Sequence, residues 1–295
     1  MSSLAASFTG VGLGIRRGLL QPITEYLDQL GEAAPAFDFF EVAPENWIGW
    51  GGQHSDTFQR LVQSYPFVSH GLSLSIGGPD PLQYNFLKDL KHFLNANQML
   101  VYSEHLSFCT DDAGHLYDLM PIPLTQTMVD YVAQRIRRVQ EYLDRRIAIE
   151  NVSYYASTAL ELSELEFFLA VVEQADCDIL LDVNNVYVNS VNHGYEPVSF
   201  IQALPSDKIV YMHIAGHYVE SEKPGQELII DTHGAAVVPL VWQLLEVAYQ
   251  AHGVRPTLLE RDFNYPAFKV LIDELQQIRH LQSVYSQGAA CASNA

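Results

Sequence analysis

The sequence predicts a single (β/α)8 barrel of the TIM type, an α/β fold with a metal cluster at the C-terminal ends of its strands. Three observations lead there. Eight short apolar strand candidates alternate with about eight stretches of helical apolar spacing, the repeat such a barrel requires. No linker or abrupt change of composition divides the 295 residues, so residues 1–282 read as one domain and residues 283–295, small and polar, as a flexible C-terminal tail. Finally, His70, His105, Glu150, Asp182, His213 and Glu260 each close a different strand, where a barrel gathers its functional groups. A doubly wound open sheet is the alternative arrangement of the same alternation.

The elements follow in order. Residues 11–15 are a short strand, and residues 22–30 have helical spacing with Gly31 as a stop. A second strand, residues 37–42, runs into a glycine-rich turn, and helical spacing returns over 57–63. The third strand, residues 66–70, ends in His70 and precedes a helix over 81–94. The fourth, residues 99–103, delivers Glu104 and His105. Neighbours on a strand face opposite ways, so His105 is expected in the site with Glu104 supporting it. A loop from Cys109 to Pro123 leads to a long amphipathic helix, 125–143. The fifth strand, 146–150, ends in Glu150, and a helix over 161–174 carries the capping box Ser163-x-x-Glu166. The sixth, 178–182, ends in Asp182 and opens into an expected loop through Asn184, Asn185, Asn189, Asn192 and His193. After a short helix, 197–203, residues 209–213 form the seventh strand. A helix over 237–250, the eighth strand 255–260 and a last helix 266–282 complete the chain.

The seventh strand carries the densest chemistry: His213 at its end, His217 after Ala-Gly, then Asp231 and His233. Imidazole and carboxylate are the donors divalent metals take. On an extended chain His213 and His217 lie about 13 Å apart, so they face two different ions unless the chain bends at Gly216. Asp231 and His233, two residues apart, project to one side and can pinch a single ion.

Composition narrows the function. Hydrophobic residues at 48% and charged residues at 17% describe an ordinary globule. A net charge of −19 sets nucleic acid and anionic membranes aside as partners. Cys109, Cys177 and Cys291 are odd in number and lack C-x-x-C spacing, which argues against disulfides or a thiolate site and for a cytoplasmic setting. The first residues lack a signal-like basic and apolar pattern, and no apolar run reaches the ~18 residues of a membrane span. Cys177, beside the sixth strand, is expected to pack in the core.

Several carboxylates around one barrel mouth cost several kcal/mol each unless cations, Arg or Lys, or protons compensate them. The donors outnumber the needs of one ion, and Glu150, central in strand order, is placed to bridge two ions about 3.5 Å apart. A cluster of two or three metals follows. Nitrogen and oxygen donors fit iron, manganese or zinc.

The motifs Phe39-Phe-Glu-Val-Ala-Pro-Glu-Asn46, Ser69-His-Gly-Leu-Ser-Leu-Ser75, Ser103-Glu-His-Leu-Ser107, Ile149-Glu-Asn-Val-Ser153, Leu180-Leu-Asp-Val-Asn-Asn185, His213-Ile-Ala-Gly-His217, Asp231-Thr-His233 and Leu259-Glu-Arg-Asp262 together resemble the multinuclear non-haem iron-dependent oxidase family of the MbnB/TglH type, formerly a domain of unknown function. The resemblance runs from about Gly10 to Leu281 and is closer to the widespread uncharacterised branch. It implies two to three iron ions per chain, with dioxygen as co-substrate. The implied reaction is oxidative modification of cysteine in a ribosomally synthesised precursor peptide, presented by a small peptide-recognition partner protein. It implies His70, His105 and Glu150 around one iron, and Glu150 bridging to a second held by Asp182, His213 and Glu260. A third site would use Asp231 and His233, with Asn185 or His217. Glu150, Asn151 and Asp262 are the expected catalytic set, Asn151, Tyr154 and Asp262 orienting ligands by hydrogen bonds. Two other classes use similar ligands: a multi-zinc barrel hydrolase or sugar isomerase, and a non-catalytic metal-binding protein.

Overall fold

A computed structural model of the chain describes residues 8–111, 114–156, 160–223 and 226–292. Its strands are β1 (Val11–Gly14), β2 (Phe39–Val42), β3 (Phe67–Gly71), β4 (Tyr102–His105), β5 (Phe108–Asp111), β6 (Gly114–Met120), β7 (Ala148–Glu150), β8 (Asp178–Asp182), β9 (Ile209–Ile214), β10 (His217–Lys223), β11 (Gln226–Asp231) and β12 (Thr257–Leu259). Its α-helices are α1 (Leu20–Leu30), α2 (Gln53–Ser64), α3 (Tyr84–Ala96), α4 (Gln126–Leu143), α5 (Glu164–Ala175), α6 (Val183–His193), α7 (Pro197–Ala203), α8 (Pro239–His252) and α9 (Phe268–Ala292). Eight strands close a parallel barrel in the order β1, β2, β3, β4, β7, β8, β9, β12, the last pairing with the first through Val11–Thr257, Gly12–Leu258 and Leu13–Leu259. The open sheet is thereby excluded.

The barrel interior is layered by the two-residue period of a strand. Its lower layer is a small apolar cluster of Phe8, Phe39, Val68, Ala148, Leu180, Val210, Tyr211 and Leu258. Two residues further along their strands, on the same inward face, come Glu41, His70, Glu150, Asp182, His213 and Glu260, all buried. Each polar side chain therefore stands on an apolar one. Phe8 packs edge-on against Phe39, centroids 4.9 Å apart, beneath this layer. The larger core fills the space between strands and helices and includes Cys177.

Two expected loops carry regular structure, and one further hairpin appears. The stretch from Cys109 to Pro123 contains a hairpin, β5–β6, and the segment between His217 and Asp231 contains a second, β10–β11. The expected loop after Asp182 is the helix α6, whose N-terminus is capped by Asp182 itself: its Oδ1 accepts from the Asn185 amide at 2.7 Å. The last helix, α9, runs on through residues 283–292 of the expected tail, and 293–295 lie outside the described residues. The Ser163–Glu166 capping box is present at α5.

Candidate metal centre

His70, His105 and Glu150 meet at the top of β3, β4 and β7. The His105 Nδ1 lies 2.8 Å from the Gly71 carbonyl, which can only accept, so Nδ1 carries the hydrogen and Nε2 of the neutral ring presents a lone pair. Gly71 permits this geometry, because a Cβ there would strike the Tyr102 hydroxyl and Glu104. His70 Nδ1 is held by Ser103 Oγ at 2.8 Å, leaving its Nε2 3.1 Å from His105 Nε2. Glu150 Oε2 stands 3.0 Å from His70 Nε2 and 3.3 Å from His105 Nε2 and has no hydrogen-bond partner. Donor atoms about 3 Å apart have the spacing of neighbouring ligands around one metal ion at about 2.1 Å.

A second group shares Glu150. His213 Nε2 donates to Glu41 Oε2 at 2.9 Å, so its Nδ1 lone pair faces Glu260 Oε2 at 3.0 Å, Glu150 Oε1 at 3.6 Å and Asp182 Oδ2 at 3.8 Å. His213 Nδ1, Asp182 Oδ2 and Glu260 Oε2 are buried without hydrogen-bond partners. A lone pair surrounded by carboxylate oxygens is repulsive unless a proton or a cation stands between them. Glu41, His213 and Glu260 form a further possible ligand group.

The third group lies towards β11 and the segment after β12. His233 adopts φ +50°, a conformation costly for a histidine and seen where surroundings dictate it. Its Nδ1 donates to Asp262 Oδ2 at 3.0 Å, and its Nε2 stands 2.8 Å from Asp231 Oδ1. Asp182, His233 and Glu260 place ligand atoms within 4.8 Å of one another. Arg16, just beyond β1, spans the barrel seam: Nη2 reaches Glu260 Oε1 at 2.9 Å and Nε reaches Asp262 Oδ1 at 2.6 Å.

Six carboxylates, those of Glu41, Glu150, Asp182, Asp231, Glu260 and Asp262, thus share one mouth with the guanidinium of Arg16. Burial and the charges of Glu150 and Asp231 push the Asp182 carboxyl well above its ordinary range. Burial raises the pKa of Glu150 as well, but the facing imidazoles of His70 and His105 outweigh it and hold it below the carboxylate range. Burial opposes protonation of His213 and His233, and their carboxylate neighbours override it, raising both well above the usual histidine value. The cluster demands positive charge. Its unpartnered nitrogen and oxygen atoms, with no thiolate among them, fit iron, manganese or zinc.

The other expected residues are placed as follows. Asn151 clamps Asp182 with two bonds of 2.9 Å, its Nδ2 donating to the Asp182 carbonyl and its Oδ1 accepting from the Asp182 amide. Asn185 donates to the Asn151 carbonyl at 3.1 Å, and its buried Oδ1 is unpartnered. His217 turns its Nδ1 to Asn184 Oδ1 at 2.7 Å and enters none of the possible ligand groups among the described residues. Tyr154 stacks on His193 at 3.9 Å between centroids and is bonded through its amide to Asn189. Glu104 accepts from the Tyr102 hydroxyl at 2.7 Å and lies 3.8 Å from His105 Nδ1. Sequence reasoning missed Glu41 and Arg16. Glu41 shared the signal of the others, a carboxylate near a strand end, but Val42 follows it in β2.

The chain matches, over residues 10–283, the family described as RiPP precursor modification enzyme MbnB/TglH/ChrH. It is 52% identical over 286 residues to a UPF0276 protein of Alcanivorax borkumensis, covering 95% of this chain and 94% of that one. It is 55% identical over 278 residues to a UPF0276 protein of Nitrosospira multiformis, covering 94% of each. Among solved structures, an L-ribulose 3-epimerase superposes with a TM-score of 0.59 at 13% identity, over 97% of this chain and 98% of that one. A xylose isomerase-like TIM barrel from Mycobacterium smegmatis, in complex with magnesium, gives 0.59 at 12% identity over 97% and 99%. At such identities these two structures speak for the barrel alone, whereas the full-length family match and the close relatives define the lineage: the chain belongs to the MbnB/TglH/ChrH family of RiPP precursor modification enzymes, within its UPF0276 branch.

Proposed function

We propose that the chain is a multinuclear iron enzyme that uses dioxygen to oxidise cysteine in a ribosomally synthesised precursor peptide, with a small partner protein presenting the peptide. The observation that carries the reading is the triad His70, His105 and Glu150: two imidazoles and a carboxylate on one face, the donor set of oxygen-using non-haem iron sites. Glu150 extends its other oxygen towards the group of His213 and Asp182, so a second ion would share it, and Asp231 with His233 would hold a third. Iron, when bound there, supplies the one-electron chemistry that reaction with dioxygen needs.

The protein's own residues do the rest. Gly71 and Ser103 fix the ring orientations of His105 and His70, Asn151 fixes Asp182, and Asp262 fixes His233. The reacting thiol belongs to the substrate: burial and the charge of Glu104 push the Cys109 thiol up to about 11, and burial pushes Cys177 up to about 12, so neither is a thiolate at neutral pH. A docking partner is supported by exposed apolar side chains in the segments that follow the barrel strands: Leu72 after β3, Tyr155 after β7, Phe263 after β12, and Met120 and Val219 on the two hairpins.

The test is metal analysis of anaerobically purified protein, followed by oxygen and a cysteine peptide, with and without a small partner protein encoded beside the enzyme's gene, read by mass spectrometry. Iron at two to three per chain and a mass change at cysteine that needs the partner are expected. Stoichiometric zinc with no active iron form would favour a hydrolase or isomerase, and iron without oxygen consumption would favour metal storage. A peptide modified equally fast alone removes the partner from the proposal.

A further inference from the structure

Beneath the ligands runs a hydrogen-bonded chain that crosses the barrel from one ligand group to the other. His70 Nδ1 lies 2.8 Å from Ser103 Oγ, Ser103 Oγ lies 2.6 Å from the Tyr211 hydroxyl, that hydroxyl donates to Glu41 Oε2 at 2.7 Å, and the same oxygen accepts from His213 Nε2 at 2.9 Å. Every group is buried. Only one ordering of hydrogens satisfies all four contacts while leaving both metal-facing nitrogens free. His70 donates to Ser103, Ser103 to Tyr211, Tyr211 to Glu41, and His213 donates back to Glu41. A carboxylate can only accept, so Glu41 is the sink on which both ends converge.

Resting on the metal-centre reading above, we infer that Ser103, Tyr211 and Glu41 are positioning residues that couple the ion at His70, His105 and Glu150 to the ion at His213, making the electron donation of each imidazole to its ion depend on the other. The direction follows from polarisation along a hydrogen-bond chain in a low-dielectric interior. When Tyr211 donates to Glu41, the oxygen has less charge to give His213. When Ser103 donates to Tyr211, its own oxygen becomes a better acceptor for His70. A more electron-rich His213 therefore accompanies a poorer His70, and the reverse. This link is separate from the Glu150 bridge, since it passes under the ions and not between them. Tyr102 marks the contrast: it is as deeply buried and donates to Glu104 at 2.7 Å, but its chain ends beside His105 and reaches no second group.

The experiment uses the whole chain loaded with cobalt(II), whose paramagnetism spreads the imidazole N–H protons of bound histidines into separate proton resonances, assigned with His70→Gln and His213→Gln. Tyr211→Phe keeps the ring and removes the hydroxyl; Ser103→Ala cuts the other link. Each is expected to move both the His70 and the His213 resonance while the His105 resonance, on the Gly71 carbonyl, stays. Cobalt affinity should fall by up to about tenfold at the His70 group and rise at the His213 group, whose Glu41 no longer shares its charge with Tyr211. The double variant should go no further than the larger single one, and Ser103→Thr should restore the wild-type pattern. If each variant moves only the resonance of the histidine nearest it, or if the double variant is additive, there is no coupling. Wild-type protein that binds no cobalt at these groups would instead remove the metal-centre reading on which the inference stands.

Discussion

Glu150 is the residue shared by two of the possible ligand groups, those of His70 with His105 and of Asp182 with His213. Glu150→Ala should therefore cost two ions by elemental analysis, whereas His233→Ala should cost about one; equal single losses would remove the bridge. His105 sets a pH dependence. Burial opposes its charged form, but Glu150 and Glu104 lift its pKa to about 9, above the ~6.5 of an unfolded chain. A folded-state pKa that is raised gives the metal-free protein stability that is complete below about 6.5 and lost as pH climbs through 9. Melting temperatures of chelator-treated protein should fall across that window. Metal affinity should rise across it, since the ring must shed its proton to bind, and calorimetry in buffers of different ionisation enthalpy would count the protons released. Most of these residues were legible because they close strands. Arg16 was not, because a cation is not a ligand type and only the closed seam brings it to Glu260. Glu41 was not, because it lies inside β2 and the reading weighed final residues.

At the scale of elements, the strands that feed the site were legible from apolar runs and the helices from their spacing, and the misses share a cause. The hairpins β5–β6 and β10–β11 are polar, partly exposed ribbons without the continuous apolar run of a barrel strand. The helix α6 is written in valine and asparagine, poor helix formers, and is fixed by its Asp182 cap and its buried face instead of by propensity. Asn192 on that helix both donates to the Ile229 carbonyl at 2.8 Å and accepts from its amide at 3.0 Å, pinning β11 and hence Asp231. Asn192→Ala should speed hydrogen exchange at Ile229 and weaken metal binding at Asp231 and His233, with the His70 group unchanged; protection that stays wild-type would show the clamp to be idle. Ser163→Ala, which breaks the α5 capping box, should cost about 1 kcal/mol and a few degrees of melting temperature without changing metal content.

The whole molecule carries a net charge of −19, and much of its buried negative charge converges on one mouth. Bound metal should therefore act as a stabiliser as well as a reagent: at a thousandfold excess over its dissociation constant one ion contributes about 4 kcal/mol. Chelation should lower the melting temperature, more than sodium chloride at equal ionic strength can restore, and equal melts with and without chelator would refute it. Barrel closure has a further consequence. The strand that opens the fold and the strand that completes it meet as β1 and β12, and Arg16 and Glu260 join across them. During synthesis, a chain that has left the ribosome only as far as β9 already carries His70, His105, Glu150, Asp182 and His213, but neither His233 nor Glu260. Part of the proposed ligand set thus exists before the protein is finished, while Glu260 arrives last and only then meets Arg16, which has waited since the first strand. On the proposed reading, a ribosome-arrested chain ending after β9 should hold metal more loosely than the finished protein, the last strand tightening a provisional grip, and metal titration of the arrested chain would check it.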